Sequence, residues 1–455
     1  MSVTTTLLGH SSLAALLASG LALSACATSP EPAETTVAAD TAIAKMALLS
    51  IEDKLQMLTG QGFSMTNGRL EATDRFVPGA AGYTYAIETQ GISSLVLADG
   101  PAGLRLAETN SETGEPIHAT AFPIATLVAS SFDIELAEQI GAAMGAEAES
   151  WGVDVILAPG MNLHRNPLTG RNFEYYSEDP LLSGMMAGAA VRGMQSHGVG
   201  GTLKHFVANN QETNRFAVDT LVGQRALREL YLRGFEIGIE EGEPWAVMSS
   251  YNKLNGSYTS QNGVLLNDIL RDELGFDGVI MTDWFSGDDP AAQINAGNNL
   301  IMPGTPQHDE ALLAAYQDGT LSEATIDDNL VWIMKTIDRA EAAAKAVDKN
   351  PALEEHAALA RHAAAEATVL LKNEGGVLPV SDGVDTIALF GVGSFATVTG
   401  GTGSGDVNEA YSINVVDGLA GQGWKIDESL KTVYADHMAA FEANRPAPTS
   451  PFDAF

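Results

Sequence analysis

Cysteine is almost absent from this chain: Cys26 is the one thiol in 455 residues. A single thiol excludes an intramolecular disulfide and a zinc cluster of cysteine type. Positive charge is also scarce. Lys and Arg total 24 against 58 Asp and Glu, a formal net charge of −34. A phosphate backbone would be repelled, so no nucleic-acid partner is expected. Such an excess keeps a protein soluble and suits a salty medium, where screening is strong. Long apolar runs are missing as well. Residues 13–23, LAALLASGLAL, fall short of the roughly 20 residues a bilayer span needs. No GxGxxG follows an early strand, which counts against an open dinucleotide-type sheet. No group of ligands has metal-binding spacing, so neither a metal nor an organic cofactor is expected.

What is present is globular. Apolar residues make up 45% and charged residues 18%. The length suggests about three domains, or one large barrel plus a second unit. The short apolar run at 13–23 fits the core of a signal peptide. It is followed at once by LSAC, Leu23 to Cys26, which resembles the lipobox of bacterial lipoproteins. Residues 1–26 are therefore expected to be a lipoprotein-type signal peptide, with Cys26 lipidated. The protein would then be a periplasmic or outer-membrane-anchored lipoprotein, touching the membrane only through a lipid. The usual positive charge ahead of the run is missing, since the first Lys or Arg is Lys45. The plainer alternative is a core cysteine in a buried helix. Residues 27–45, rich in Ala, Thr, Pro and Glu, read as a flexible tether.

From residue 46 short apolar runs alternate with helical stretches. The runs are SLVLADG, VDVILAPG, GGTLKHF, WAVMSSYN, GVIMTDW and NNLIMPG; the helices include Ile134 to Ser150 and Gln224 to Glu241. Runs apolar throughout suit doubly buried parallel strands. The expected fold class is α/β: a (β/α)8 TIM-type barrel over 46–345, followed by a partial α/β sandwich domain. A long helical pattern, Asp309 to Lys349, leads out of the barrel. A linker helix is expected over 346–365, and an incomplete α/β domain over 366–455. That domain would hold the strand ATVLLKN, the run TIALFGVG and a glycine-rich loop, GGTGSGDVN.

In such a barrel, chemistry gathers at the C-terminal ends of the strands. Asp99, Arg165, Arg171, Lys204, His205, Tyr251 and Asp283 all fall there. Each has a bland reading: Asp99 in a turn, the arginines in loop ion pairs, Lys204 snorkelling, His205 in the core, Tyr251 as packing, Asp283 as a helix cap. A rim that collects all of them, with both signs of charge, suits a polyhydroxyl ligand. Carboxylates accept from sugar hydroxyls, and Lys, Arg and His donate. An aromatic such as Trp284 covers the C–H face of a sugar.

The motifs LADGPAGLR, APGMNLHRNPLTGRNFEYYSEDP, TLKHFVANNQETNRFAVD, MSSYNKLNG, GFDGVIMTDW and ATVLLKNEGGVLP run in the order seen in glycoside hydrolase family 3. The chain resembles that family, and its β-glucosidases above all, over about residues 46–420. The resemblance implies an exo-acting retaining hydrolase that releases β-linked glucose from oligosaccharides or glucosides. It implies Asp283 as nucleophile and Asp99 as the carboxylate that grips distal hydroxyls. It implies Arg171, Lys204, His205 and Arg215 as basic residues of the sugar subsite, Tyr251 beside the nucleophile, and Arg165 as a structural loop residue. Trp284 is closer to the glucosidase than to the xylosidase members. KHFVANNQ stands where the N-acetylglucosaminidase branch has KHFPGHG, which disfavours that branch.

One departure stands out. The family takes its acid/base glutamate from the second domain, and no stretch here matches that loop. Glu374 and Glu409 lie outside the matching context. The chain therefore reads as part of a longer enzyme; the alternative is a member that recruits its acid elsewhere. Two other functions stay open: a non-catalytic sugar-binding lipoprotein, and an aldolase-type barrel with Lys204 as a Schiff-base lysine.

Overall fold

The strands come first in the architecture because their ends carry the candidate site. The computed structural model describes residues 41–66, 69–72, 76–111, 113–343 and 345–445. The expected signal peptide, Cys26 and most of the expected tether lie outside the described residues. Six strands form one sheet: Gly82–Tyr83, Val96–Asp99, Val155–Leu157, Gly200–Phe206, Ala246–Ser249 and Val279–Met281. Parallel bridges then join Met281 to Leu300 and Ile301 to Thr59, and an antiparallel bridge joins Gln61 to Tyr83. The sheet therefore closes on itself as a ring. The barrel expected from the strand–helix alternation is there, with one departure from a strict repeat. Gly82–Tyr83 runs antiparallel to Val96–Asp99. A hairpin, Phe63–Thr66 with Arg69–Ala72, stands in place of a helix before it.

Along four of the parallel strands, alternate residues enter two apolar clusters on opposite faces. Leu97, Val155, Leu157, Ala246, Met248, Val279 and Met281 pack on one face. Val96, Ala98, Ile156, Val247 and Ile280 pack on the other. Both faces are covered, which is why the strands read as unbroken apolar runs. The covering helices have clear start and stop signals. Asp133 caps Ile134–Trp151 by accepting the N–H of Leu136, and Gly152 ends it in the left-handed conformation. Asp179 and Pro180 open Pro180–Gln195. These two helices nearly touch main chain to main chain. A Cβ added at Gly193 would sit 2.1 Å from the Glu138 carbonyl oxygen.

Three local expectations change. The pattern from Asp309 to Lys349 is two helices, Pro306–Asp318 and Glu323–Ala342. Gly319, at φ +84°, ends the first, and Ser322 caps the second. The end of the expected tether is ordered: Ala42–Lys45 is helical, and the Ala42 N–H donates to Asp338 at 2.6 Å. The linker helix is Leu353–Glu366, starting after Pro351. His356 binds the fully buried Glu147 at 2.7 Å, and Glu147 also accepts the Thr120 N–H at 2.9 Å. This ties the helix to the long segment that follows Asp99.

Beyond it, ATVLLKN is not a strand. It pairs with no strand among the described residues, and Leu371 is 91% exposed. The parallel pair Thr386–Ile387 with Lys425–Ile426 is short. The glycine-rich loop docks on the barrel. Val407 is buried against the 101–119 segment, and the Ala119 N–H donates to the Asn408 carbonyl at 3.1 Å.

The seam of the ring is tight. The Gly60 N–H donates to Ile301 at 2.8 Å, and the Ile301 N–H to Leu58 at 2.9 Å. Gly304 holds φ +77°, and a Cβ there would lie 1.8 Å from the Gly60 carbonyl oxygen. Gly319 has a similar φ but open space around it. Gly319→Ala should therefore cost about 1 to 2 kcal/mol from backbone conformation alone. Gly304→Ala adds a main-chain overlap and should cost at least about 2 kcal/mol more. Denaturant midpoints of the two variants check this; equal losses would contradict the seam.

Candidate active site

Seven parallel staves bring their C-terminal ends to one rim, so residues distant in sequence converge there. Asp99 ends one strand, Lys204 and His205 lie near the end of Gly200–Phe206, and Asp283 follows Val279–Met281. The register of Gly200–Phe206 against its neighbour shifts between Lys204 and Phe206. Such a bulge re-aims side chains. Here both Lys204 and His205 reach the same cluster, although adjacent strand residues normally point to opposite faces.

His205 is the best-determined group. It is 1% exposed. Arg171 Nη2 lies 2.7 Å from Nε2, and a guanidinium can only donate. Nε2 therefore accepts, and the proton sits on Nδ1, which faces Asn162 Oδ1 at 3.2 Å. Asn162 also takes the His205 N–H at 2.9 Å and donates to the His205 carbonyl at 2.9 Å. Burial, reinforced by Arg171, Lys204 and Arg215, pushes the imidazole well below its ordinary pKa. His205 is thus neutral. Its approach to Asp283 Oδ2, at 3.6 Å, is a contact and not an ion pair.

Asp283 is held through one oxygen. Oδ1 accepts the Trp284 N–H at 2.8 Å, while Oδ2 is buried without a hydrogen bond. Burial raises its pKa, while Arg171, Lys204, the Trp284 N–H and Tyr251 oppose that rise. Asp99 is likewise raised by burial, against the pull of Lys204 and Arg105.

Arg171 is spoken for on two sides. Nε donates to Glu174 at 2.5 Å and Nη2 to His205, but Nη1 is buried without a partner. Tyr251 is 6% exposed and packs under the Arg215 guanidinium, 4.6 Å from its ring centroid. Trp284 is half-buried, its indole N–H donating to the Ala81 carbonyl at 3.2 Å.

The structure therefore gathers Asp99, Arg171, Lys204, His205, Tyr251 and Asp283, with Arg215 and Trp284 at the margin. Arg165 stays outside as expected, exposed over the Tyr231 ring at 5.6 Å. Cys26 lies outside the described residues. Glu374 is exposed beside Lys372, and Glu409 accepts from the Thr399 hydroxyl.

Four residues of the cluster went unread in the sequence. Asn162 clamps His205. Arg105 adds its charge beside Asp99. Glu212 receives Arg215 at 3.2 Å. Glu174 is the most consequential. It is 5% exposed, takes Arg171 on one oxygen and faces Lys204 at 3.8 Å with the other. Burial would raise its pKa, but Arg171 and Lys204 outweigh burial and hold it below the ordinary glutamate range. The Arg171–Glu174 spacing, i to i+3 in the turn Asn172–Glu174, was its one sequence signal.

Residues 94–336 match the glycosyl hydrolase family 3 N terminal domain. The chain belongs to this family. Thermostable β-glucosidase B of Acetivibrio thermocellus is 44% identical over 316 residues, covering 68% of this chain and 41% of that one. The exo-α-(1→6)-L-arabinopyranosidase of Bifidobacterium longum is 40% identical over 362 residues, covering 77% and 48%. In structure, the chain is similar to β-glucosidase 3B of Thermotoga neapolitana in complex with α-D-glucose. The TM-score is 0.83 at 46% identity, over 89% of this chain and 57% of that one. The chain thus spans about half the length of the curated relatives it matches. The family 3 barrel expected from the motifs is the barrel observed.

Glu174→Gln should leave Arg171 and Lys204 without their shared counter-ion. Breaking a buried ion pair from one side is expected to lower stability by about 3 to 5 kcal/mol. Denaturant midpoints of the variant and the parent measure this, and equal midpoints would remove Glu174 from the network.

Proposed function

We propose that this family 3 chain is the sugar-binding and nucleophile-bearing part of a retaining β-glucosidase. The observation that carries the reading is a pair of orphan atoms. Asp283 Oδ2 and Arg171 Nη1 are both buried and unpaired in a cluster whose other bonds are largely satisfied. A buried acceptor and a buried donor left unpaired are costly, and a sugar supplies an electrophilic carbon for one and hydroxyls for the other. The β-glucosidase relatives support glucose as the sugar.

The chemistry follows from the charges. Retaining hydrolysis uses two carboxyl groups about 5 to 5.5 Å apart, one attacking the anomeric carbon and one protonating the leaving oxygen. Asp283 suits attack: Oδ1 is anchored, Oδ2 is free, and Arg171 and Lys204 favour its ionised form. Neutral His205 makes no ion pair with that oxygen. Asp99 and Lys204 suit the distal hydroxyls. Glu174, kept ionised by two cations, cannot serve as the acid. Lys204 lies among carboxylates, 3.8 Å from Glu174, and not in the apolar or cationic setting that activates a Schiff-base lysine.

An activated aryl glucoside bypasses the acid because its leaving group departs unaided. A dinitrophenyl β-glucoside should form a glycosyl ester on Asp283, visible as a mass increment on its peptide, and Asp283→Asn should abolish it. Labelling should fall as pH drops through a value above the ordinary aspartate range, because burial raises the Asp283 pKa. Lys204→Gln removes a stabilising cation and should move that limb to higher pH. Cellobiose should be cleaved far more slowly, general acid help being worth about 10² to 10⁴ in rate. Absence of labelling would favour binding without turnover.

The LSAC motif supports a second, independent proposal: Cys26 becomes the lipidated first residue of the mature protein, facing the periplasm or cell exterior. Mass spectrometry of the mature N-terminus should show diacylglyceryl on Cys26. A cytosolic chain that begins at an unmodified Met1 would contradict it.

A further inference from the structure

Glu147 is a buried acid, 0% exposed, that the proposed chemistry leaves unused. It stands on the covering helix Ile134–Trp151. One oxygen faces His356 Nδ1 at 2.7 Å, and the other accepts the Thr120 N–H at 2.9 Å. A carboxylate only accepts, so Nδ1 donates. Thr120 belongs to residues 117–122, which lie in neither helix nor strand and are held by contacts alone. On one side of this stretch is the turn that follows Asp99. The Phe122 N–H donates to the Ala102 carbonyl at 2.8 Å, and the Arg105 N–H closes the turn onto the Asp99 carbonyl at 2.8 Å. Gly103, at φ +137°, lies main chain on main chain: a Cβ there would sit 2.1 Å from the Thr120 carbonyl oxygen. On the other side is the glycine-rich loop, where the Asn408 side chain donates to the Ile117 carbonyl.

Residues 117–122 thus form a spacer between the Asp99 turn and the part of the chain beyond the barrel. Close-packed main chain transmits a shift instead of absorbing it. With no room at Gly103, a displaced Thr120 carries the turn with it. The position of Thr120 depends on Glu147, and that of Glu147 on His356. His356 belongs to the helix Leu353–Glu366, which is seated on the barrel through Leu359, Ala360 and Ala363. Stability alone does not account for the pair, because buried polar pairs gain little over apolar residues of similar volume. What the pair supplies is a fixed direction for one N–H, one layer behind the turn that carries Asp99.

We infer that Glu147 and His356 are positioning residues for Asp99, coupling the seated linker helix to the sugar site. The inference rests on the proposed sugar reading of that site. The test titrates the 455-residue chain calorimetrically with glucose. His356→Leu keeps bulk beside the Phe122 ring, 6.4 Å away, but removes the donor. It should weaken glucose binding about tenfold, the scale of one charged hydrogen bond at Asp99. His356→Asn can place an amide N–H where Nδ1 stands and should recover most of the affinity. In an Asp99→Asn background, His356→Leu should weaken binding less than about twofold, since two changes on one contact are not additive. Amide exchange at Thr120 and Phe122 should speed up in His356→Leu, while Ile301 at the seam keeps the parent rate. Unchanged affinity in His356→Leu would overturn the inference. So would an equal loss in His356→Asn, or the full loss in the Asp99→Asn background. Failure of both His356 variants to fold would make the pair a stability element and overturn it too. A parent that does not bind glucose would overturn the sugar reading, and the positioning role with it.

Discussion

Charge burial is the constraint on which this site depends. Taking one ion out of water costs several kcal/mol even after relaxation. The cluster holds four acidic groups, Asp99, Glu174, Glu212 and Asp283, and four basic ones, Arg105, Arg171, Lys204 and Arg215. A chain with a formal charge of −34 has nevertheless balanced this one region. The balance comes from placement along the strands. Three parallel staves deliver Asp99, Lys204 and Asp283 to the same rim, and the other charged residues arrive from the loops between. His205 fits the scheme by staying neutral, because burial and, after it, the nearby Arg171, Lys204 and Arg215 disfavour its charged form.

Within that balance, the groups divide by how completely they are satisfied. Glu174 turns both oxygens to cations, and Glu212 gives one to Arg215 and the other to the Asn209 amide. Asn162 spends both of its polar atoms on His205. Asp283 and Arg171 each keep one atom back. In the proposed reading the unspent atoms are those a sugar would meet, and the spent ones determine where they sit. Loss of a counter-ion therefore acts on the ligand through the geometry of Arg171, not through a missing contact.

Much of the fold was legible because the strands are buried on both faces. SLVLA, VDVIL, TLKHF and GVIMT stand out as apolar runs bounded by polar residues, and each became a stave. Asp99, Lys204, His205 and Asp283 were legible as the polar residues ending those runs. The reversed stave Gly82–Tyr83 was not, since two residues carry no period. Nor was the break at Gly319, because the apolar pattern continues across it. Glu174 escaped notice because its second partner, Lys204, is adjacent only across the barrel. ATVLLKN shows the opposite failure: strand-like composition, but no neighbouring strand among the described residues.

The closure of the ring also dictates an order of assembly. The seam joins residues 58–60 to 301–304, so its ends are separated by most of the barrel's sequence. A chain made from its N-terminus can pair the staves from Val96–Asp99 onward as they emerge. It cannot complete the ring until residue 304 is free, and joining ends so far apart is entropically the slowest kind of contact. Trp284, next to Asp283, is tied to Ala81 in the stretch that feeds the reversed stave. The indole beside the carboxylate that would attack the sugar therefore gains its anchor only as the ring closes, although the carboxylate's own charged neighbours all precede it in the chain.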